Sequence, residues 1–91
     1  MDYQYKIGEA VYVRDDLKYG ASYDMTSGPY PEGNCNIVTD KMAGLHGRLV
    51  RIKNYSAAGQ YYVEETNNLQ WTDGMFEGSE NNNECRCESL L

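Results

Sequence analysis

The sequence has few of the features that mark membrane, secreted or metal-binding proteins. Its 91 residues include one His, one Trp, one Phe and two Pro. No apolar run approaches the roughly 18 residues that a membrane span needs. The N-terminus shows neither the basic nor the apolar region of a secretory signal. We therefore expect a single domain that does not enter a membrane and acts in the cytoplasm.

Motifs for catalysis are equally scarce. The single His46 has no convincing nucleophile motif to accompany it, so we interpret it as a solvated turn residue. Two pairs of acids are adjacent, at 15–16 and 64–65, but neighbours on a strand point to opposite faces and make no two-acid device. Phosphate loops and dinucleotide fingerprints are missing. We predict a protein that is not an enzyme and needs no cofactor.

The cysteines leave three alternatives. Cys35, Cys85 and Cys87 could join His46 on a zinc ion, but Cys-x-Cys is a poor spacing for structural zinc. A disulfide between Cys35 and one of the C-terminal cysteines is the second alternative. Free thiols are the commonest state in a cytosolic protein and are our prediction, with no metal bound.

Negative charge is concentrated at the C-terminal end. Residues 1–63 carry seven basic and seven acidic side chains, so the net charge of −6 arises in residues 64–91. An acidic region repels nucleic-acid phosphates and suits a basic partner surface. The alternative interpretation is a tail that serves solubility alone.

Nine tyrosines are the most unusual feature of the composition. Three of them, Tyr19, Tyr23 and Tyr30, fall in a long loop over residues 15–34 that also contains glycines and both prolines. A loop of this length is uncommon in a small domain unless it is functional or disordered. Tyrosines bury a large area with few rotatable bonds, so we predict an ordered contact surface. The alternative is that some of them close the open end of a barrel.

Apolar and polar residues alternate with the period of β-strands. We predict strands over Ile7–Arg14, Cys35–Thr39, a segment that starts after Gly47, and Gln60–Glu65. Residues 40–45 predict one helical turn, and residues 72–75 a 3₁₀ turn capped by the Thr72 hydroxyl. The expected core is Val11, Val13, Ile37, Val50, Ile52, Val63, Trp71 and Met75. Short strands between glycine-marked turns predict an all-β barrel or sandwich of about five strands, spanning residues 1–78. Residues 79–91 are expected to form a polar, acidic, cysteine-containing tail of low order.

Several segments together resemble a group of small domains carried by phages and mobile elements of Gram-positive bacteria. They are YKIGEAVYVRDDLKYGASY, the pattern Met42-x-x-Leu-x-Gly47-x-x-Val-x-Ile52, Tyr61-x-Val63, and the run from Gln70 to Met75. The resemblance covers most of residues 5–76 and implies an SH3-like barrel of the KOW or mind-bomb type. The chain differs from this group in Glu9, where Asp is usual, in its longer loop and in its tail.

Together with these features, the resemblance implies a binding protein of a phage or mobile element that acts in the cytoplasm of a bacterial host, by contact with a host protein. The expected target is a defence nuclease with a basic surface, which would make the protein anti-CRISPR-like and an acidic mimic of DNA. The predicted contact residues are Tyr19, Tyr23, Tyr30, Tyr55, Tyr62, Glu64, Glu65, Asp73 and Glu77. Homo-oligomerisation through a strand edge remains open.

The sequence also supports two alternative functions. A KOW-like nucleic-acid-binding domain would use Arg48, Arg51 and Lys53, with Tyr12 and Tyr62 on the same outer face. The overall acidity argues against strong phosphate binding and ranks this alternative second. In the other, the tyrosine-rich loop closes over a small nucleotide-like signal, and the protein acts as a sponge for it.

Overall fold

The computed structural model describes residues 3–79, which form short strands and little helix. The strands are β1 (Ala10–Val13), β2 (Ser22–Asp24), β3 (Cys35–Ile37), β4 (Leu49–Tyr55), β5 (Tyr61–Val63) and β6 (Phe76–Ser79). The helical elements are α1 (Asp40–Ala43) and a 3₁₀ turn (Asp73–Met75). The prediction of a small all-β domain is confirmed, with six strands in two sheets where about five were expected.

The larger sheet has four antiparallel strands in the order β5-β4-β1-β6, and the smaller one pairs β2 with β3. Val11 pairs with Val50, and Ile52 pairs with Val63. These four side chains are almost completely buried, as the period-2 pattern predicted. Because paired residues project to the same face, they define the inner face of the sheet.

The predicted core is correct except at Ile37. That side chain is 56% exposed, whereas the neighbouring Val38 is 1% exposed and packs in the core. The side chain of Asn36 turns toward the body of the protein, where its Nδ2 donates to the Gln70 carbonyl at 2.8 Å. Since alternate residues share a face, the orientation of Asn36 sends Ile37 outward and Val38 inward.

The segment predicted as one long loop contains a strand and is fixed to the rest of the domain. β2 pairs with β3, and residues 25–34 connect the two strands. Asn34 ties this connection to the β4–β5 hairpin, since its Nδ2 donates to the Ala58 carbonyl at 2.8 Å and its Oδ1 accepts from Gln60 Nε2 at 2.7 Å. Met25, at the start of the connection, is buried in the core. The loop packs as an ordered structure, as expected.

Two local predictions are wrong. Thr72 precedes the 3₁₀ turn, but its hydroxyl makes no capping hydrogen bond and is buried without a partner among the described residues. Thr39, directly before α1, caps that helix: its hydroxyl accepts a hydrogen bond from the Met42 backbone N–H. Ser79 belongs to β6, whereas we expected a tail of low order from residue 79 onward. The rest of the predicted tail lies outside the described residues.

Candidate binding surfaces

The tyrosines divide into a buried group and a surface group. Tyr5 and Tyr61 are 3% and 0% exposed and pack edge-to-face against Phe76. The Tyr5 backbone N–H donates to the Tyr61 hydroxyl at 3.2 Å. Burial raises the pKa of Tyr5 to about 12, and the neighbouring Tyr61 contributes further. Both residues therefore have a structural role. The alternation of apolar and polar residues in the sequence did not indicate that Tyr5 would be buried.

Tyr30 and Tyr55 lie by the β4–β5 turn, close to Tyr3. The rings of Tyr3 and Tyr55 stack at 3.6 Å, and the Tyr55 hydroxyl donates to the Tyr5 carbonyl at 2.9 Å. Tyr30 is 61% exposed and covers Gly59, where an added Cβ would lie 3.2 Å from the Tyr30 ring. Tyr55 is thus held largely by structural contacts, while Tyr30 keeps a broad exposed face.

Tyr19 borders a groove at the opposite end of the β2–β3 hairpin. The groove has a volume of about 610 Å³. Tyr19 and Ile37, which are 65% and 56% exposed, line it together with the half-buried Leu69 and the exposed Lys41. We call this surface the Tyr19 groove. Tyr19 was predictable as a surface residue, whereas Ile37 and Leu69 were not, because the apolar pattern places Ile37 in the core.

Tyr23 and Tyr62 lie apart from both of these sites. Arg14 sits over the Tyr23 ring at 5.4 Å, and the same guanidinium forms a two-pronged ion pair with Asp16. Tyr62 pairs with Asn54 on the outer face of the larger sheet. The predicted tyrosine contacts therefore fall on separate surfaces.

Asp73 was predicted as a contact residue, but it is 3% exposed and cannot contribute to an acidic surface. Its carboxylate accepts hydrogen bonds from the Thr26 backbone N–H at 2.7 Å, from Thr26 Oγ1 at 3.1 Å and from the Ser27 hydroxyl. The Ser27 hydroxyl also accepts from the Gln4 backbone N–H. A buried carboxylate needs such donors, so Asp73 serves to anchor the β2–β3 connection.

The other predicted acidic contacts are exposed but are not brought together. Glu64 and Glu65 follow β5, whereas Glu77 lies in β6, at the other edge of the four-stranded sheet. Glu65 accepts a hydrogen bond from the Arg51 backbone N–H, and Glu77 accepts one from the Asp15 backbone N–H. The remaining acidic residues of the C-terminal region, and Cys85 and Cys87, lie outside the described residues.

The predicted basic residues are all exposed, at or within β4. Arg51 Nη1 donates to the Gly8 carbonyl at 2.6 Å, and Lys53 Nζ donates to Asn67 Oδ1 at 3.1 Å. Arg48 directly precedes the strand. Within residues 3–79 none of these three side chains forms an ion pair.

The residues considered for chemistry lie apart from one another. His46 is exposed, and its Nδ1 is 4.0 Å from an Asp15 carboxylate oxygen. Cys35 is an exposed free thiol on β3. In the described part of the chain, His, Cys, Asp and Glu side chains form no group of three or more that could hold a metal ion. Nor does this part include a helix long and apolar enough to cross a lipid bilayer.

Comparisons with protein-family models, with curated proteins and with solved structures find no match to this chain.

Proposed function

We propose that the protein is a non-enzymatic binding protein of a phage or mobile element, built as an SH3-like barrel, which inhibits a host defence nuclease by protein–protein contact. The observation that carries this proposal is the Tyr19 groove. Exposed aromatic and aliphatic side chains around a concave surface are what protein interfaces use as anchors. The small strand-rich domain supplies a rigid support for them.

The acidic character of the chain supports a basic target. A net charge of −6 attracts a positively charged surface over a distance and raises the association rate with it. In the described region the exposed acids are dispersed, so charge has a steering role here and the groove supplies the contact. A nuclease that binds DNA in a basic channel is a target of this kind.

The test is capture of the target from a bacterial host lysate, with nuclease added so that bridging by nucleic acid is removed. A groove variant, Ile37→Ser, should lose the captured protein. The matched control is Ile7→Ser, because Ile7 is 55% exposed and lies outside the groove. The captured protein is then assayed with purified components for inhibition of its nuclease activity.

Three results would contradict the proposal. The first is equal capture by the two isoleucine variants, which would exclude the groove as the contact. The second is loss of all captured protein upon nuclease treatment, which would favour the KOW-like alternative. The third is a captured nuclease whose activity the purified protein leaves unchanged.

A further inference from the structure

The outer face of the four-stranded sheet combines tyrosines and cations from three strands. Tyr12 of β1 pairs with Leu49 of β4, and Tyr62 of β5 pairs with Asn54 of β4. Leu49 lies on the side on which alternate residues of β4 are exposed, and the register shift between Ile52 and Asn54 places the exposed Asn54 on that side as well. Because directly paired residues project to the same face, both tyrosines share it. We call this surface the cation–tyrosine face. It comprises Tyr12, Arg48, Leu49, Arg51, Lys53 and Tyr62.

The order of these side chains along β4 is significant. The two tyrosines are paired with Leu49 and Asn54, which lie at opposite ends of the strand. Five strand residues span about 16 Å. At that separation the two rings cannot stack on each other, so each ring is available to stack on a different partner. The cations Arg51 and Lys53 lie between them, so the face presents aromatic, positive, positive and aromatic groups in series.

The two central cations have no acidic partner among residues 3–79. The Arg51 guanidinium bonds a backbone carbonyl, and the Lys53 ammonium bonds a side-chain amide oxygen. Both partners are neutral, and they hold the cations in place on the sheet. Elsewhere in the domain Arg14 is neutralised by a two-pronged ion pair with Asp16. Residues 3–79 contain ten carboxylates and seven Lys or Arg residues, so the lack of acidic partners does not come from a shortage of acids.

We propose that the cation–tyrosine face binds single-stranded nucleic acid. Its tyrosines stack on two bases, and its cations contact the phosphates between them, which is the combination that single-strand binders use. A duplex hides its base faces within the stack, so the geometry favours single strands over duplexes. The site lies on β1, β4 and β5, separate from the Tyr19 groove, and does not depend on the function proposed for that groove.

Two carboxylates oppose this binding. The exposed Glu64 lies opposite Arg51, because its backbone N–H donates to the Arg51 carbonyl at 3.0 Å, and residues paired across antiparallel strands project to the same face. Glu65 Oε1 lies 3.3 Å from the Arg51 backbone nitrogen, at the border of the face. Its negative charge repels a phosphate placed over Arg51 and weakens the affinity. Replacement of Glu65 by Gln retains an oxygen that can accept the backbone hydrogen bond and removes the charge. This variant should therefore bind more tightly, whereas damage to the fold would weaken binding.

The test is fluorescence anisotropy with labelled oligo-dT, oligo-U and a duplex of the same length, over a series of salt concentrations. Tyr62→Leu keeps an apolar side chain and should weaken single-strand binding about fivefold or more. The double variant Arg51→Gln with Lys53→Gln should reduce the slope of log affinity against log salt by about 1.4. Its control is Lys6→Gln with Lys18→Gln, which removes the same charge outside the face.

The expected result is preference for single strands, with losses confined to variants of the face and a gain for Glu65→Gln. Circular dichroism and thermal melting of each variant confirm that it is folded. The proposal is overturned if the unmodified protein binds no oligonucleotide at low salt, or binds the duplex as tightly as the single strands. It is also overturned if the control pair weakens binding as much as the double variant in the face.

Discussion

Replacement of Asp73 by Ala should destabilise the domain strongly, because its carboxylate fixes the β2–β3 connection to the 3₁₀ turn. The change removes three hydrogen bonds, two from Thr26 and one from Ser27. A hydrogen bond to a charged group contributes about 1.5–3 kcal/mol to stability. Loss of all three therefore costs at least about 4.5 kcal/mol before any compensation by water. Thr26 is exposed, and its donors recover part of this by bonding water. We expect a net loss of about 3 kcal/mol in the free energy of unfolding.

The measurement is urea unfolding followed by circular dichroism, with the midpoint and slope fitted for each variant. The control is Asp24→Ala, an exposed aspartate of β2. A change at such a surface position should stay within about 0.5 kcal/mol. Asp73→Asn keeps the volume and one acceptor, so its loss should lie between those of the two alanine variants. A loss below about 1 kcal/mol for Asp73→Ala would refute the anchoring role.

Three further predictions concern neighbours of this anchor and the aromatic core. The buried Thr72 hydroxyl has no partner in the described structure. Thr72→Val removes this hydroxyl and the cost of burying it away from water, so it should raise the unfolding free energy by about 1 kcal/mol. At Gly74 an added Cβ would lie 2.7 Å from the Asp24 carbonyl oxygen and force the turn away from β2. Gly74→Ala should therefore lower the unfolding free energy by about 2 kcal/mol or more. Tyr5→Phe should reduce the loss of stability at alkaline pH, because burial raises the pKa of Tyr5 from its usual 10.0 to about 12 in the folded protein. Above the unfolded pKa the unfolded chain loses this proton first, so stability falls by up to about 1.4 kcal/mol per pH unit until the folded pKa is passed.

These predictions are checked by urea titrations, and each has its own control. Thr72→Ser keeps the unpaired hydroxyl and should not stabilise the domain. Gly44→Ala adds a Cβ at ordinary contact distance from Asp40 in a helical conformation, so it should be neutral or slightly stabilising. For Tyr5, the comparison is made at about pH 9 and about pH 11. An equal loss of stability in both proteins would show that Tyr5 does not titrate with a raised pKa.

The strand pattern was predictable where burial on one face dictated it. Over residues 49–53 of β4 the exposed and buried residues alternate as the sequence indicated, because a shift by one residue would expose the whole apolar set. β2 could not be predicted in this way, since the segment Ser22–Asp24 has little strand preference and is ordered by pairing with β3. Ile37 and Val38 are adjacent apolar residues. Which of the two enters the core depends on Asn36 and its distant hydrogen-bond partner Gln70.

The candidate sites were predictable by residue type and much less by location. Tyr5 and Tyr19 have similar local surroundings of polar and small residues, yet one lies in the core and the other borders a groove. Their fates depend on contacts with residues far along the chain, such as Tyr61 for Tyr5. Asp73 shows the same limit, because the strand pattern does not indicate its burial and its donors lie 46 and 47 positions away.

The two proposed surfaces are carried by different elements, and this makes their functions separable. The Tyr19 groove is formed by the segment before β2, by β3, α1 and the chain after β5, whereas the cation–tyrosine face belongs to β1, β4 and β5. Mutations that are more than about 10 Å apart and share no partner usually act independently. Ile37→Ser should therefore leave oligonucleotide affinity unchanged, and the change of Arg51 and Lys53 to Gln should leave nuclease-resistant protein capture unchanged. If each variant abolished both activities, the surfaces would have to serve one binding event, as contact with a nuclease carrying its own nucleic acid would require.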